Sequence, residues 1–310
     1  MKKNNYNDVL VAIVSGKRPG TFKERPTEQY IIKKYNEVII SNNSEGYVTE
    51  LPIINVPDDY RQQYYQDNMK ISYEVPLSRS YALKYAKEQG YKYLVQLDDN
   101  ILNFSFKILK KNKIGSSVKQ INVPRANKFI LEDIIDYMLD VINNTNAGIV
   151  GINIAGCAHG EETFLREGYV YSCIIMRTDL PIKYYHSGFE EDIEIRYKLK
   201  EANIPMLMIP WIRYAKTSQH ATQDTTGNRI SYVKAGVKRG EIMRKLYPQF
   251  FTCGLSTKSP GKGKNLNKEH KLFYAHRLKT FKIGFIINNK DYLIKRFKEL
   301  IQKYEQKTNS

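Results

Sequence analysis

The feature that most constrains this chain is a pair of short apolar runs with a helix between them. Residues 8–14, where VLVAIVS (9–15) begins, read as a buried strand, an apolar run rich in β-branched residues, as a strand covered on both faces requires. It gives way to SGKRPGT, a loop holding two glycines, a proline and two cations. Further on, VPLSRSYALKYAKEQGY predicts a helix with the body YALKYAKEQ, capped by Ser78 or Ser80 and stopped by Gly90. YLVQL follows as a second buried strand. Strand, loop, helix and strand in that order argue for an α/β fold with parallel pairing.

The rest of the chain extends the pattern. EVII (37–40) and LPIINV (51–56) are short strand candidates. FILEDIIDYMLDVINN (129–144) carries Ile130, Ile134, Tyr137, Met138 and Val141 at helical spacing. AGIVGINIAG, GYVYSCIIMRT and IPMLMIPWIRY read as later strands, and Pro210 implies an edge or a bend in the last. After residue 240 the pattern changes to a helical RGEIMRKLYPQF, a linker TKSPGKGKNLNKEH and a basic helix DYLIKRFKELIQKYEQK. The expected organisation is one domain over residues 1–240 and a basic helical extension over 241–310.

Composition excludes several classes. A content of 42% hydrophobic residues with 24 tyrosines supports a real core rather than disorder. The longest apolar runs fall far short of the ~20 residues that cross a bilayer. MKKNNYNDVL lacks the apolar stretch and cleavage site of a signal peptide. Cys157, Cys173 and Cys253 are widely spaced and odd in number, which argues against a disulfide framework or a zinc site. The expectation is a soluble protein of a reducing compartment. The net charge of +17 suits an anionic partner, nucleic acid or an acidic membrane. From Lys258 onward, 14 Lys/Arg stand against 4 Asp/Glu, so most of the excess lies there.

Two acidic constellations carry the chemistry. Asp98 and Asp99 close a strand and are followed by the apolar ILNFSF, so both are wedged between buried segments. Charges placed there need a cation or donors, and open α/β sheets bind ligands at the carboxyl ends of their strands. Mg²⁺ or Mn²⁺ takes oxygen ligands and shares them with substrate phosphates. The second constellation is HSGFEEDIEIRYKLKEANIP, where Glu190, Glu191 and Asp192 open a helix. The helix dipole favours acids at that end by ~0.3–1 kcal/mol each, yet three in a row exceed what capping requires. A buried stripe of Ile195, Leu199 and Ala202 sets Glu191 and Asp192 on its flanks and Glu190 away from it, while Ile193 and Tyr197 form a second apolar line. Either flank residue can act as a general base on a hydroxyl. SGKRPGT lacks the GxxxxGK[ST] spacing of a phosphate loop, which rules out an ATPase reading.

LDDN at a strand end, followed by FEEDIEIRYKLKEANIP and another strand, resembles a GT-A-fold, nucleotide-sugar-dependent glycosyltransferase over roughly residues 8 to 225. VAIVSGKRPGT, VPLSRSYALKYAKEQGYKYLVQLDDNI and HSGFEEDIEI look closest to the phage enzymes that glycosylate hydroxylated DNA bases, including the TET-associated group. The resemblance implies a Rossmann-like, mixed and mostly parallel sheet flanked by helices. It implies a nucleotide-sugar donor, a UDP-sugar foremost, and a divalent metal, Mn²⁺ or Mg²⁺. Asp98 would contact ribose or donor sugar and Asp99 the metal. Ser15 and Arg18 would approach the nucleotide, and Arg79, in the loop before the helix, the donor phosphate or sugar. Asp192, with Glu191 as competitor, would be the base of an inverting reaction. This chain has LDDN where many members have Asp-x-Asp; one Asp on the ion is chemically sufficient.

RYAKTSQHATQDTTGNR follows the last strand, where such enzymes often place a third metal ligand, here His220. Lys216, Gln219 and Arg229 could neutralise the departing diphosphate; His186 and His159 have weaker claims. The expected partner is double-stranded DNA with modified bases, met in the host cytoplasm if the chain is phage-encoded. Lys258, Lys262, Lys264, Arg277 and Lys279, in a segment with interleaved aromatics, would hold its backbone. The alternative is a cytoplasmic glycosyltransferase acting on a cell-envelope glycan or lipid-linked acceptor, its last helix lying on the membrane. A non-catalytic nucleic-acid-binding protein is a third reading, and the paired carboxylates argue against it.

Overall fold

Strand β1 (Val9–Ser15) is buried along its whole length and lies inside a mixed sheet. The computed structural model describes residues 6–67, 75–112, 115–155, 164–182, 191–216, 239–255, 272–276 and 283–307. The chain divides into one unit of residues 1–218 with 284–310 and another of residues 219–283.

In the first unit β1 pairs in parallel with β2 (Asn36–Ser41) and β4 (Tyr93–Asp98), and β2 in parallel with β3 (Ile53–Asn55). Beyond β4 runs the antiparallel β9 (Cys173–Arg177), then β7 (Ile149–Ile154) and β10 (Met206–Lys216), which are parallel to each other. A hairpin of β5 (Ile101–Asn112) and β6 (Gly115–Asn122) completes the order β3-β2-β1-β4-β9-β7-β10-β5-β6, and β8 (Arg166–Glu167) also pairs with β10.

The two-residue period of the strands divides the core into two layers. Val9, Val11, Ile13, Val95 and Leu97 face helix α3 (Ile130–Asn143) and the C-terminal helix. Leu10, Ala12 and Leu94 face α2 (Val75–Glu88), together with Ile195 and Leu199 of α4 (Glu191–Glu201). Helix α1 (Asp58–Asp67) contributes Tyr60, Tyr64 and Tyr65 to this second layer. Gly151 of β7 explains the glycine punctuation seen in the sequence. A Cβ there would stand 2.6 Å from Val170 Cβ, so the strand and the chain leading to β9 approach too closely for a side chain.

Of four expectations, three need correction. Helix α2 begins at Val75 with Pro76 in its first turn, where the missing N–H costs nothing. Ser78 and Ser80 therefore lie inside the helix, and Ser80 Oγ meets Tyr60 OH at 2.7 Å. Of the edge or bend expected at Pro210 the structure shows the bend: β10 is interior, its register against β7 jumps from Ile209 to Arg213, and the proline falls in the irregularity. In the buried stripe of α4, Ile193 and Tyr197 join Ile195 and Leu199, whereas Ala202 is exposed.

The fourth concerns the C-terminal helix, α6 (Lys290–Lys307), which groups with the first unit and not with a separate extension beginning at residue 241. Leu293, Leu300, Ile301 and Tyr304 are buried in the same layer as α3, and Phe297 packs against it. Tyr137 OH donates to the Leu293 carbonyl, and Arg296 Nε to Asp140 Oδ2 at 3.0 Å. Lys303 pairs with Asp133. The apolar face proposed for a membrane is thus covered by protein, and part of its basic charge is spent on α3. In the second unit, helix α5 (Arg239–Leu246) precedes an antiparallel hairpin of β11 (Phe251–Leu255) and β12 (Leu272–His276).

Candidate active site

The parallel β1–β4 register sets Val14 opposite Asp98. The next residues along, Ser15 at the end of β1 and Asp99 just past the end of β4, meet there, and Ser15 Oγ donates to Asp99 Oδ2 at 2.6 Å. Arg18 Nε reaches the same oxygen at 3.3 Å, and Tyr47 OH lies 2.9 Å from Ser15 Oγ. The loop bearing Arg18 is shaped by Arg25, wholly buried, which donates to the carbonyls of Arg18, Gly20 and Val48. Thr27 ties down the acidic turn: its Oγ1 donates to the Asp98 carbonyl and accepts from the Ile101 N–H.

Asp98 continues the face of Leu94 and Gln96 and so points the other way, towards α2 and α4. Arg79 Nη2 donates to its Oδ1 at 2.6 Å. Ser172 Oγ donates to its Oδ2 at 2.5 Å, and Lys216 Nζ reaches Oδ2 at 3.2 Å and Ser172 Oγ at 2.9 Å. Ser172 precedes the antiparallel strand β9 and holds a left-handed φ of 48°, a conformation uncommon for a side-chain-bearing residue. The second guanidinium nitrogen of Arg79, Nη1, donates to Glu191 Oε1 at 3.1 Å. Glu191 is buried in the first turn of α4 and Asp192 beside it is half-buried.

Two adjacent carboxylates thus acquire opposite characters. Burial alone would raise Asp98, but Lys216, Arg79 and the Ser172 hydroxyl outweigh it and hold the carboxyl well below its usual range. Asp99 is pushed up to about 6 by burial, with Arg18 and Ser15 opposing and Asp98 adding to the rise. Burial also raises Glu191 and Asp192; Arg79 opposes it at both, and Lys216 at Asp192. Among the cations, Arg79 is 8% exposed at its side chain, whereas Arg18 is 27% and Lys216 21%. The latter two are the ones able to meet a dissolved anion.

Of the residues singled out from the sequence, Ser15, Arg18, Arg79, Asp98, Asp99, Glu191 and Lys216 are linked through these contacts, and Asp192 adjoins them. Arg79 lies within α2 and not in a loop before it. Glu190, His159, His186, Gln219, His220, Arg229, Lys258, Lys262, Lys264, Arg277 and Lys279 lie outside the described residues. Ser172, Thr27, Tyr47 and Gln96 escaped sequence reasoning, since a lone polar residue beside a strand carries no signal of its own.

As for a metal, both oxygens of Asp98 are already engaged by cations, whereas both contacts to Asp99 fall on Oδ2. Asn100 Oδ1, one residue on, is buried without a hydrogen-bond partner among the described residues. A free carboxylate oxygen on Asp99 and a buried amide oxygen on the next residue are hard donors of the kind that Mg²⁺ or Mn²⁺ takes, with its remaining ligands from phosphate and water. Among the described residues no three His, Cys, Asp or Glu side chains group to hold an ion by themselves.

A mixed α/β sheet with a cluster of paired charges at the carboxyl ends of its parallel strands is the setting in which such sheets bind ligands, and the architecture is GT-A-like. The family model of the TET-associated glycosyltransferases matches residues 57–227, more than half of the chain, and the protein belongs to that family. It is therefore a glycosyltransferase. No curated protein sequence matches the chain. Among solved structures, A197 from STIV is similar with a TM-score of 0.35 at 10% identity, over 68% of this chain and 85% of that one. A protein of Desulfovibrio desulfuricans described as a nucleotide-diphospho-sugar transferase gives a TM-score of 0.33 at 10% identity, over 78% and 98%.

Proposed function

We propose that this glycosyltransferase moves a sugar from a nucleoside diphosphate sugar, a UDP-sugar foremost, to the hydroxyl of a hydroxymethylated pyrimidine in DNA. The observation that carries the reading is the shared guanidinium of Arg79, which joins the donor-side Asp98 to the helix terminus bearing Glu191 and Asp192 within a chain of this family. This link between the two acidic groups supports reading them as the donor and acceptor sides of one site.

Ser15 and the Arg18 loop bind the nucleotide, and Asp98, held ionised, accepts hydrogen bonds from ribose or sugar hydroxyls. Arg18 and Lys216 face the diphosphate and neutralise the charge that grows on it. Asp99, with Asn100 beside it and His220 further along the chain, would hold a divalent ion, which supplies Lewis-acid stabilisation of the diphosphate when bound. Asp192 takes the proton of the acceptor hydroxyl. That oxygen bonds to the anomeric carbon while the bond from this carbon to the diphosphate oxygen breaks, and the nucleoside diphosphate leaves with the electron pair. Transfer of this kind inverts the anomeric centre.

The DNA acceptor rests on the name of the family and on the basic run from Lys258 to Lys279, whose lysines and arginines suit phosphate contacts that lack sequence preference. A base inside a duplex must leave its stack to reach such a cleft. No helix among the described residues is long and apolar enough to cross a membrane, and the covered face of α6 removes the main support for a membrane-surface acceptor. We place the protein in the cytoplasm where the DNA is, in residues 1–218 with 284–310 as the catalytic unit. Incubation with duplex DNA containing 5-hydroxymethylpyrimidine and a panel of UDP-sugars, followed by nucleoside mass analysis, tests the reading. A hexose-sized mass gain supports it; no gain with DNA, but transfer to a lipid-linked acceptor, rejects it.

A further inference from the structure

Arg79 is the most constrained cation of the cleft. It is 7% exposed, and its backbone carbonyl accepts a 2.9 Å hydrogen bond from Gln96 Nε2, two residues before Asp98 on the same face of β4. Helix α2 is thus tied to the strand that presents Asp98, and the guanidinium spans from that strand to α4. A planar guanidinium presents several N–H donors in fixed directions, so binding Asp98 through Nη2 and Glu191 through Nη1 fixes the two carboxylates relative to each other. Lysine, a single ammonium on a flexible stem, cannot reproduce that fork. With both terminal nitrogens engaged inside the protein, Arg79 is ill placed to serve as a phosphate ligand, and Glu191, buried against it, is ill placed to take a proton from an acceptor.

We propose that Arg79 is a positioning residue and Glu191 its anchor, the pair orienting the first turn of α4 so that Asp192 alone meets the acceptor hydroxyl. This deepens the transferase reading and rests on it. Arg79 itself meets neither substrate: Ser15, Arg18 and Lys216 carry the nucleotide and diphosphate, Arg79 only orients the neighbouring Asp98, and Glu191 moors the helix whose Asp192 meets the acceptor.

Four full-length variants test this: R79K, R79M, E191Q and D192N, each measured for kcat, for KM of the acceptor and for UDP binding by calorimetry. Glutamine keeps the oxygen that accepts from Arg79, so E191Q is expected to fold and to retain kcat within about tenfold, whereas D192N falls by about 10²–10⁴-fold. R79M is expected to lose about 10²-fold in kcat with UDP affinity changed by less than about threefold, and R79K to recover only part of the loss. R79M/E191Q is expected to be no worse than R79M, since residues that act as a unit are not additive.

The pH profile gives a readout that a purely structural role would leave in place. Glu191 is faced by Arg79, Asp192, Asp98 and Tyr64, and Asp192 by Arg79, Lys216, Asp98 and Tyr169. Removing the negative charge in E191Q moves the acid limb of kcat/KM to lower pH; removing the positive charge in R79M moves it to higher pH. An E191Q variant as inactive as D192N overturns the assignment, as does a tenfold or greater loss of UDP affinity in R79M. Should R79M fail to fold, E191Q against D192N decides alone. Wild-type protein without transfer to DNA but with transfer to another hydroxyl rejects the DNA acceptor and leaves the variant ratios to judge Arg79 on that substrate.

Discussion

Ser15 and Asp99 stand 84 residues apart in sequence and share a hydrogen bond of 2.6 Å between neighbouring strand ends. That bond, with Arg18, is what the protein offers a carboxylate buried deeply enough to be raised to about 6. A carboxyl with a folded pKa above its unfolded value costs stability when ionised. Its contribution is best below the ordinary value of 3.8 and declines as pH rises towards 6. Asp99→Asn keeps an oxygen for Ser15 and removes the charge. In chelator at pH 7 it is expected to raise stability by about 1–3 kcal/mol while abolishing transfer. Added Mn²⁺ should raise the Tm of the wild type and not that of the variant. Thermal unfolding with and without the ion checks both halves; a destabilised variant would contradict the first.

Asp192 governs the acid side of the activity profile. Burial lifts its carboxyl above the usual value despite Arg79 and Lys216, so the group holds its proton to higher pH than a solvated aspartate. A general base must be ionised to work. The expected log kcat/KM therefore rises with pH with unit slope and levels off at an apparent pKa above 3.8 that belongs to the coupled Glu191–Asp192 pair. Asp192→Asn should remove the acid limb along with about 10²–10⁴-fold of the rate. Rates measured from pH 4 to 9 on one DNA substrate decide it; an Asp192→Asn enzyme with the wild-type profile would exclude this base.

The sequence announced some of this and concealed the rest for identifiable reasons. Asp98 and Asp99 were legible because an apolar strand that ends in two charges is costly without partners. Glu191 and Asp192 were legible because three acids exceed a helix cap. What the pattern could not tell was that adjacent aspartates diverge, Asp98 towards α2 and Asp99 towards β1, and so acquire opposite shifts in pKa. Arg79 was readable as a cation near the cleft, but its bridge depends on how α2 packs against α4, a long-range fact. Helix α1 went unseen because DDYRQQYYQD has little apolar periodicity. The apolar face of the basic tail was visible in the sequence, but not that Leu293, Leu300 and Ile301 dock it on the core rather than on a membrane.

Lys216 bears on both catalysis and acid stability. It lies 3.2 Å from Asp98 Oδ2 and 2.9 Å from Ser172 Oγ, with its tip partly open to solvent. Asp98 is held low by Lys216 and Arg79 against its burial, so the stability it contributes is present above the ordinary value of 3.8 and lost as pH falls below it. Lys216→Met is expected to shrink that contribution, making the protein less stable at pH 7 and its stability less sensitive to acid. The same change should lower kcat by about 10²-fold, as expected for losing one charge stabiliser at a leaving group. Urea titrations at pH 3 and pH 7 together with turnover measurements check the two effects; unchanged turnover would remove Lys216 from the diphosphate.

The last expectation concerns whether α6 is a detachable tail. Leu293 is fully buried, and Tyr137 OH on α3 donates to its carbonyl at 3.2 Å. Tyr137 and Phe297 rings lie 5.7 Å apart, and Phe106 of β5 and Tyr304 rings 5.5 Å apart, so the helix closes one face of the sheet and is part of its core. Leu293→Ala removes methyl groups from a close-packed site and is expected to cost about 2–5 kcal/mol. Removing residues 290–307 would bare the α3 surface and should leave a chain that aggregates on expression. A helix serving only to hold DNA would tolerate both changes in stability and lose DNA affinity instead. Urea midpoints of Leu293→Ala, set beside the salt dependence of its DNA binding, separate the two: the folded core requires a lower midpoint with an unchanged salt slope, because no phosphate-binding cation has been removed.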